Sequence, residues 1–110
     1  MSNVARVGAP GASTPPSLEE VRRRRVALLA AAARYRAANV RVFGSVARGE
    51  ADAESDVDFL VDMPDDYRLL ELGGVYTAFE DLLGRPVHVV VTADLPEAWR
   101  ARAECEAVPL

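Results

Sequence analysis

Apolar and polar positions along this chain follow two different periods, and the places where one gives way to the other mark out its elements. Leu18, Val21, Leu28, Leu29, Ala32 and Tyr35 recur at helical spacing, which predicts one helix from Ser17 to about Ala38. Ser17 followed three residues later by Glu20 is a capping box that opens this helix, each side chain closing a free backbone N–H. Val40, Val42 and Phe43 read as a short strand. It stops at Gly44, where the missing Cβ lets the backbone turn.

Ser45 to Arg48 predict a short helix and Gly49 to Ser55 a polar loop. Val57, Phe59 and Val61 then alternate with Asp56, Asp58, Leu60 and Asp62 in a period-two strand that Pro64 ends. Leu69, Leu70, Leu72, Val75, Tyr76, Phe79, Leu82 and Leu83 fit a core-facing helix over 66–83. Gly73 and Gly74 weaken its middle by roughly 1 kcal/mol each relative to Ala, and Gly84 caps its end. Pro86 to Thr92 make a third strand, and Pro96 opens a last helix through about Ala107. The predicted order is α-β-α-β-α-β-α: an α/β (α+β) domain with a small mixed sheet flanked by helices.

Ahead of this pattern, Met1 to Pro16 are rich in Gly, Ala, Ser, Thr and Pro and have little to bury, so they are expected to form a flexible arm, leaving 17–110 as the domain. A chain of 110 residues supports one hydrophobic core, and a separate acceptor-binding domain is expected to come from a partner. The net charge is −4, and all thirteen positive side chains are Arg without forming a continuous basic groove, so DNA is not an expected partner. Arg22 to Arg25 spread around a full helical turn and read as a solvated face.

The longest apolar run, Val26 to Ala33, is far below the ~20 residues of a membrane span, and no signal pattern opens the chain. A cytoplasmic location without membrane attachment is expected. Cys105 is the only cysteine, which rules out an internal disulfide and suits a reducing compartment. It is expected to be a small buried side chain. Trp99 and the tyrosines, at helical spacing, are expected in the core or an interface rather than on a base-stacking surface.

The candidate chemistry lies at two places. A strand followed by Gly44-Ser45 and a short helix aims backbone N–H groups and a hydroxyl where a phosphate is stabilised, although the same dipeptide also makes plain turns. Asp56 and Asp58, two apart on a strand, share a face at roughly 7 Å. Such hard oxygen donors suit Mg²⁺, which completes its shell from water and triphosphate oxygens. Asp62 shares the face geometrically but runs into Pro64 and is read as a solvated strand end. Arg48 beside the turn is read either as a neutraliser of the leaving group or as an exposed helix-end arginine.

Gly44-Ser45-Val46-Ala47-Arg48-Gly49 followed by Ser55-Asp56-Val57-Asp58-Phe59-Leu60-Val61 resembles the minimal nucleotidyltransferases of the DNA polymerase β superfamily. The similarity continues through Leu83-Gly84-Arg85-Pro86-Val87 and Glu106-Ala107-Val108-Pro109-Leu110. It implies transfer of a nucleoside monophosphate, with ATP as substrate, Mg²⁺ or Mn²⁺ on Asp56 and Asp58, and Gly44, Ser45 and Arg48 on the nucleotide. The small members it resembles are antitoxins paired with a helical HEPN-type toxin, which they modify on a hydroxyl. Small-molecule resistance enzymes of the superfamily carry a further acceptor domain and fit this length less well.

The chain departs from the family pattern at one position. Where the family has a third carboxylate, the strand Val87-His88-Val89-Val90-Val91 carries His88. Histidine is a softer ligand than Mg²⁺ prefers, favouring Mn²⁺ or Zn²⁺, and also a base near neutral pH. Three readings stay open: a slow or silent site, a working ligand or catalytic base, and a strand register that puts another residue there. If the site is silent, the chain becomes a binding module that neutralises a toxin by occluding it.

Overall fold

The computed structural model describes residues 14–110. The arm expected over Met1–Pro16 therefore lies outside the described residues, except for Thr14 to Pro16, of which Pro16 is buried. Ser17 caps the first helix as its pattern requires, with Oγ accepting from the Glu20 N–H at 3.1 Å. The capping box is only half made, however. The Glu20 carboxylate turns away to Arg85, whose Nε lies 3.0 Å from it and whose side chain is almost fully buried. That ion pair fastens the first helix to the turn ahead of the third strand.

The single long helix expected from Ser17 to Ala38 is two helices, α1 (Leu18–Arg23) and α2 (Arg25–Arg34). Arg24 between them has φ −101° and ψ 14°, and its N–H bonds one residue short of the helical partner, to Val21 at 3.0 Å. At the far end Arg36 adopts φ 65°. The Ala37 N–H then reaches back to Ala32 at 2.9 Å and the Arg36 N–H to Ala33 at 3.1 Å, closing the last carbonyls in a left-handed cap. Ala38 consequently belongs to the first strand.

Strand β1 (Ala38–Phe43) leads into α3 (Gly44–Arg48), and β2 (Val57–Asp62) is followed by α4 (Leu69–Leu83), β3 (Val87–Val91), a single 3₁₀ turn over Thr92–Asp94, α5 (Glu97–Glu106) and β4 (Val108–Pro109). The sheet order is β3-β2-β1-β4. Strands β1 and β2 are antiparallel, and so are β1 and β4, while β2 and β3 are parallel and joined by the α4 crossover that parallel pairing needs. The mixed sheet with flanking helices is as the sequence predicts. The fourth strand is not predicted; it follows the expected last helix and extends the order by one element.

Val57, Phe59 and Val61 of β2 and Val87, Val89 and Val91 of β3 point into one core with Val75 and Phe79 of α4 and Leu28 of α2. The Phe59 and Phe79 rings stand 4.6 Å apart and tilted by 59°, a pairing worth ~1 kcal/mol beyond the area it buries. Leu60, pointing the opposite way, is also fully buried. The sheet's second face is thus covered at its middle, leaving its two ends to carry the polar side chains. Gly84 caps α4 in the left-handed conformation, φ 67°, as expected.

Cys105 differs from expectation in being exposed, and Trp99, expected in the core or an interface, lies outside the core, 61% exposed with the Arg102 guanidinium 5.7 Å from its ring centre. Both lie on α5, which buries only Ala103 and so has no room in the core for them. Asp62 is the half-exposed end of β2, as expected, and its carboxylate also accepts from Asn39 Nδ2 at 3.0 Å and from Arg41 Nη2 at 2.8 Å, bonds that hold its carboxyl below the usual range despite partial burial. Among the described residues no helix is long and apolar enough to cross a membrane.

Candidate active site

The C-terminal end of β1 and the N-terminal ends of β2 and β3 meet at one edge of the sheet. Phe43 is paired with Asp58, and Asp58 with His88, so the register brings the Gly44 turn, Asp58 and His88 side by side. His88 thus stands opposite the aspartate on the neighbouring strand. His88 Nδ1 lies 3.7 Å from Asp58 Oδ1, beyond hydrogen-bond range, with side-chain exposures of 59% and 26% respectively. Asp56 precedes β2 by one residue and is exposed, so only Asp58 of the pair is on the strand itself.

Burial pushes the Asp58 carboxyl above the usual carboxylate range; the Asp56 charge adds to this, while His88 and Arg48 oppose it. A half-buried carboxylate short of hydrogen-bond donors is a group that gains from a cation. Gly44 has φ 75°, and a β-carbon on it would overlap Asp58 Oδ2. Glycine is needed here twice over, for the turn and for the close approach of the carboxylate.

Arg48 ends α3, capped by Gly49 at φ 74°. Its Nε donates to Glu50 at 2.9 Å, and its Nη1 stands 3.1 and 3.2 Å from the two oxygens of Glu106. These partners raise its pKa above the ordinary value. It is an exposed helix-end arginine whose guanidinium is engaged by two carboxylates. Glu106 also accepts from the Gly44 N–H at 3.3 Å. Sequence reasoning missed this residue: it belongs to the closing Glu106-Ala107-Val108-Pro109-Leu110 segment, but nothing in its spacing from Gly44 signals contact across 62 positions.

Asp94 accepts from the Tyr67 hydroxyl, and Asp81 is exposed on α4. Among the described residues no three His, Cys, Asp or Glu side chains are gathered closely enough to hold a metal ion alone. Asp56, Asp58 and His88 offer a mixed oxygen and nitrogen donor set that a divalent cation can use only if further ligands arrive with a substrate. An open cavity of about 590 Å³ adjoins Asp56 and runs between Ser55, Glu80, Arg85 and Pro86, but the Gly44 turn, Asp58 and His88 do not line it.

Residues 24–107 match the family described as "Nucleotidyltransferase domain". The protein adenylyltransferase MntA of Thermococcus cleftensis is 40% identical over 62 residues, covering 56% of this chain and 63% of that relative, so the chain spans less than two thirds of its length. A solved structure described as a minimal nucleotidyltransferase superposes with a TM-score of 0.79 at 44% identity, covering 86% of this chain and 97% of the other. With the fold, the Gly44 turn and the aspartate strand in this arrangement, the chain belongs to the nucleotidyltransferase domain family, in its minimal form.

Proposed function

We propose that this chain transfers AMP from ATP to a hydroxyl of a partner protein, as an antitoxin that modifies a helical HEPN-type toxin, with residues 17–110 as the catalytic unit. The observation that carries the reading is the convergence of Gly44, Asp58 and His88 on neighbouring strand ends. The kinship with a protein adenylyltransferase supports AMP as the transferred group and a protein as the acceptor.

In this reading the Gly44 N–H and the Ser45 hydroxyl hold the triphosphate, Arg48 neutralises the departing pyrophosphate, and Asp56 and Asp58 hold Mg²⁺ or Mn²⁺. The cations, when bound, neutralise phosphate charge and stabilise the attacking and leaving oxygens of an in-line displacement. The acceptor oxygen forms its bond to the α-phosphorus as the bond to the β-phosphate oxygen breaks. His88, exposed beside Asp58, takes the hydroxyl proton as a neutral imidazole.

A second reading keeps the fold and drops the chemistry: the chain neutralises its toxin by occlusion. What favours it is His88, which brings no negative charge to a site meant for dications. Intact mass of the chain and a co-expressed HEPN-type partner, after ATP with Mg²⁺ or Mn²⁺, separates the two. An AMP adduct on the partner that vanishes in Asp58→Ala establishes transfer. No adduct from the wild type, but one gained by His88→Asp, establishes a disabled transferase that works by binding.

A further inference from the structure

Glu106 sits where a phosphate would. Its carboxylate receives the Gly44 N–H at 3.3 Å and the Arg48 Nη1 at 3.1 and 3.2 Å, so it joins the two cationic or donor groups that the nucleotide reading assigns to the triphosphate. Arg48 Nε is meanwhile taken by Glu50 at 2.9 Å. The Gly44 N–H has a single proton to donate, and two anions cannot share it without repelling each other. A phosphate oxygen entering this turn must therefore dislodge Glu106.

The carboxylate is placed to leave. At 3.3 Å its bond to Gly44 is long for a charged acceptor, where 2.7–2.9 Å is usual. Glu106 is the last residue of α5, and its side chain is 35% exposed, so a rotamer change moves it into water without disturbing β4 behind it. Glu50, the other partner of Arg48, is more exposed, and it meets the turn through its backbone N–H, which donates to the Ser45 carbonyl at 2.9 Å, rather than through its carboxylate. Only Glu106 spans both groups.

We propose that Glu106 is an internal competitor of the nucleotide: its carboxylate holds the Gly44 N–H and the Arg48 guanidinium until a phosphate group displaces it, and this exchange sets nucleotide affinity. The inference rests on the nucleotide reading above and adds a residue to it. The exchange also keeps the donors of the turn paired with an acceptor throughout.

The test is titration of the full chain with inorganic pyrophosphate and with Mg·ATP, followed by calorimetry and by the Gly44 amide resonance, for wild type, Glu106→Gln, Glu106→Asp and Glu50→Gln. Glu106→Gln removes the competing charge, and Glu106→Asp withdraws it by one methylene should the amide variant fold poorly. Both variants should bind pyrophosphate and Mg·ATP about tenfold more tightly than wild type, with a larger Gly44 shift, while Glu50→Gln stays close to wild type. Equal or weaker binding in the Glu106 variants, with the wild-type Gly44 resonance still moving, would overturn the competitor role and leave the nucleotide site standing. If Gly44 moves in no variant with either ligand, the nucleotide reading of the turn fails and the inference falls with it.

Discussion

Gly44 and Asp58 are packed so closely that a β-carbon on the glycine would overlap Oδ2 of the aspartate and lie 3.3 Å from its Cγ. The glycine also holds φ 75°, which alone costs a non-glycine residue about 1–2 kcal/mol. Gly44→Ala should therefore lower stability and displace the Asp58 carboxylate together. Chemical denaturation of Gly44→Ala, Asp58→Ala and the double variant checks this. The double variant should be more stable than the sum of the single losses predicts, because truncating Asp58 removes the clash but leaves the backbone cost; strict additivity would mean the two groups do not press on one another.

The two central glycines of α4 should respond in opposite directions. A β-carbon on Gly73 meets nothing within 4 Å, whereas one on Gly74 would run into the Tyr35 ring, coming within 2.6 Å of Cζ. Gly73→Ala should raise stability by ~1 kcal/mol, the ordinary gain for a helix interior. Gly74→Ala should lower it, since the ring that packs α2 on α4 has to move. Thermal melts of the two variants decide the matter, and a stabilising Gly74→Ala would show that Tyr35 repacks freely.

Glu71 binds Arg36 through 2.7 and 2.9 Å bonds and also accepts the Arg68 N–H at 2.9 Å, and these bonds hold its carboxyl down to about 2. Arg36 is the residue in the left-handed cap of α2, so the pair ties the end of one helix to the start of another. A carboxyl with a depressed pKa adds stability above its unfolded value of 4.5 and loses it as pH falls towards 2. Urea midpoints of wild type and Glu71→Gln should differ at pH 6 and draw together between pH 4.5 and 2. A gap that persists unchanged at the acid end would assign the effect to packing instead.

What could be read from the chain follows from the range of the interactions involved. The alternation of Val57, Phe59 and Val61 and the helical stripe of Val75 and Phe79 are local patterns, and the core forms from those residues. The Gly44 turn was legible because glycine has a conformational meaning of its own. Arg36, by contrast, takes a left-handed cap that usually signals itself with Gly or Asn, and its partners lie 30 and 35 residues away. Strand β4 is two residues long and includes a proline, and only its pairing with Arg41 and Val42 makes it a strand. Glu106 is the same case in the candidate site: its contact with Gly44 depends on α5 returning across the sheet.

The proposed function requires a divalent cation beside Asp58, and His88 makes the choice of ion testable. His88 faces Asp58 across 3.7 Å, a separation that a cation between nitrogen and oxygen can narrow but a hydrogen bond does not span. Imidazole favours Mn²⁺ over Mg²⁺, and a carboxylate, which adds charge and a hard donor that suits both ions, narrows that preference. Mn²⁺ binding in the presence of ATP, read from the loss of the free-ion electron paramagnetic resonance signal and competed with Mg²⁺, should show wild type selecting Mn²⁺. His88→Asp should bind Mg²⁺ about tenfold more tightly and lose most of that selectivity, while Asp58→Ala weakens both ions. Because the readout is ion binding rather than turnover, it bears on His88 even in a silent enzyme. If His88→Asp leaves both affinities as they are in wild type, position 88 does not face the cation, and its exposure beside Asp58 has another use.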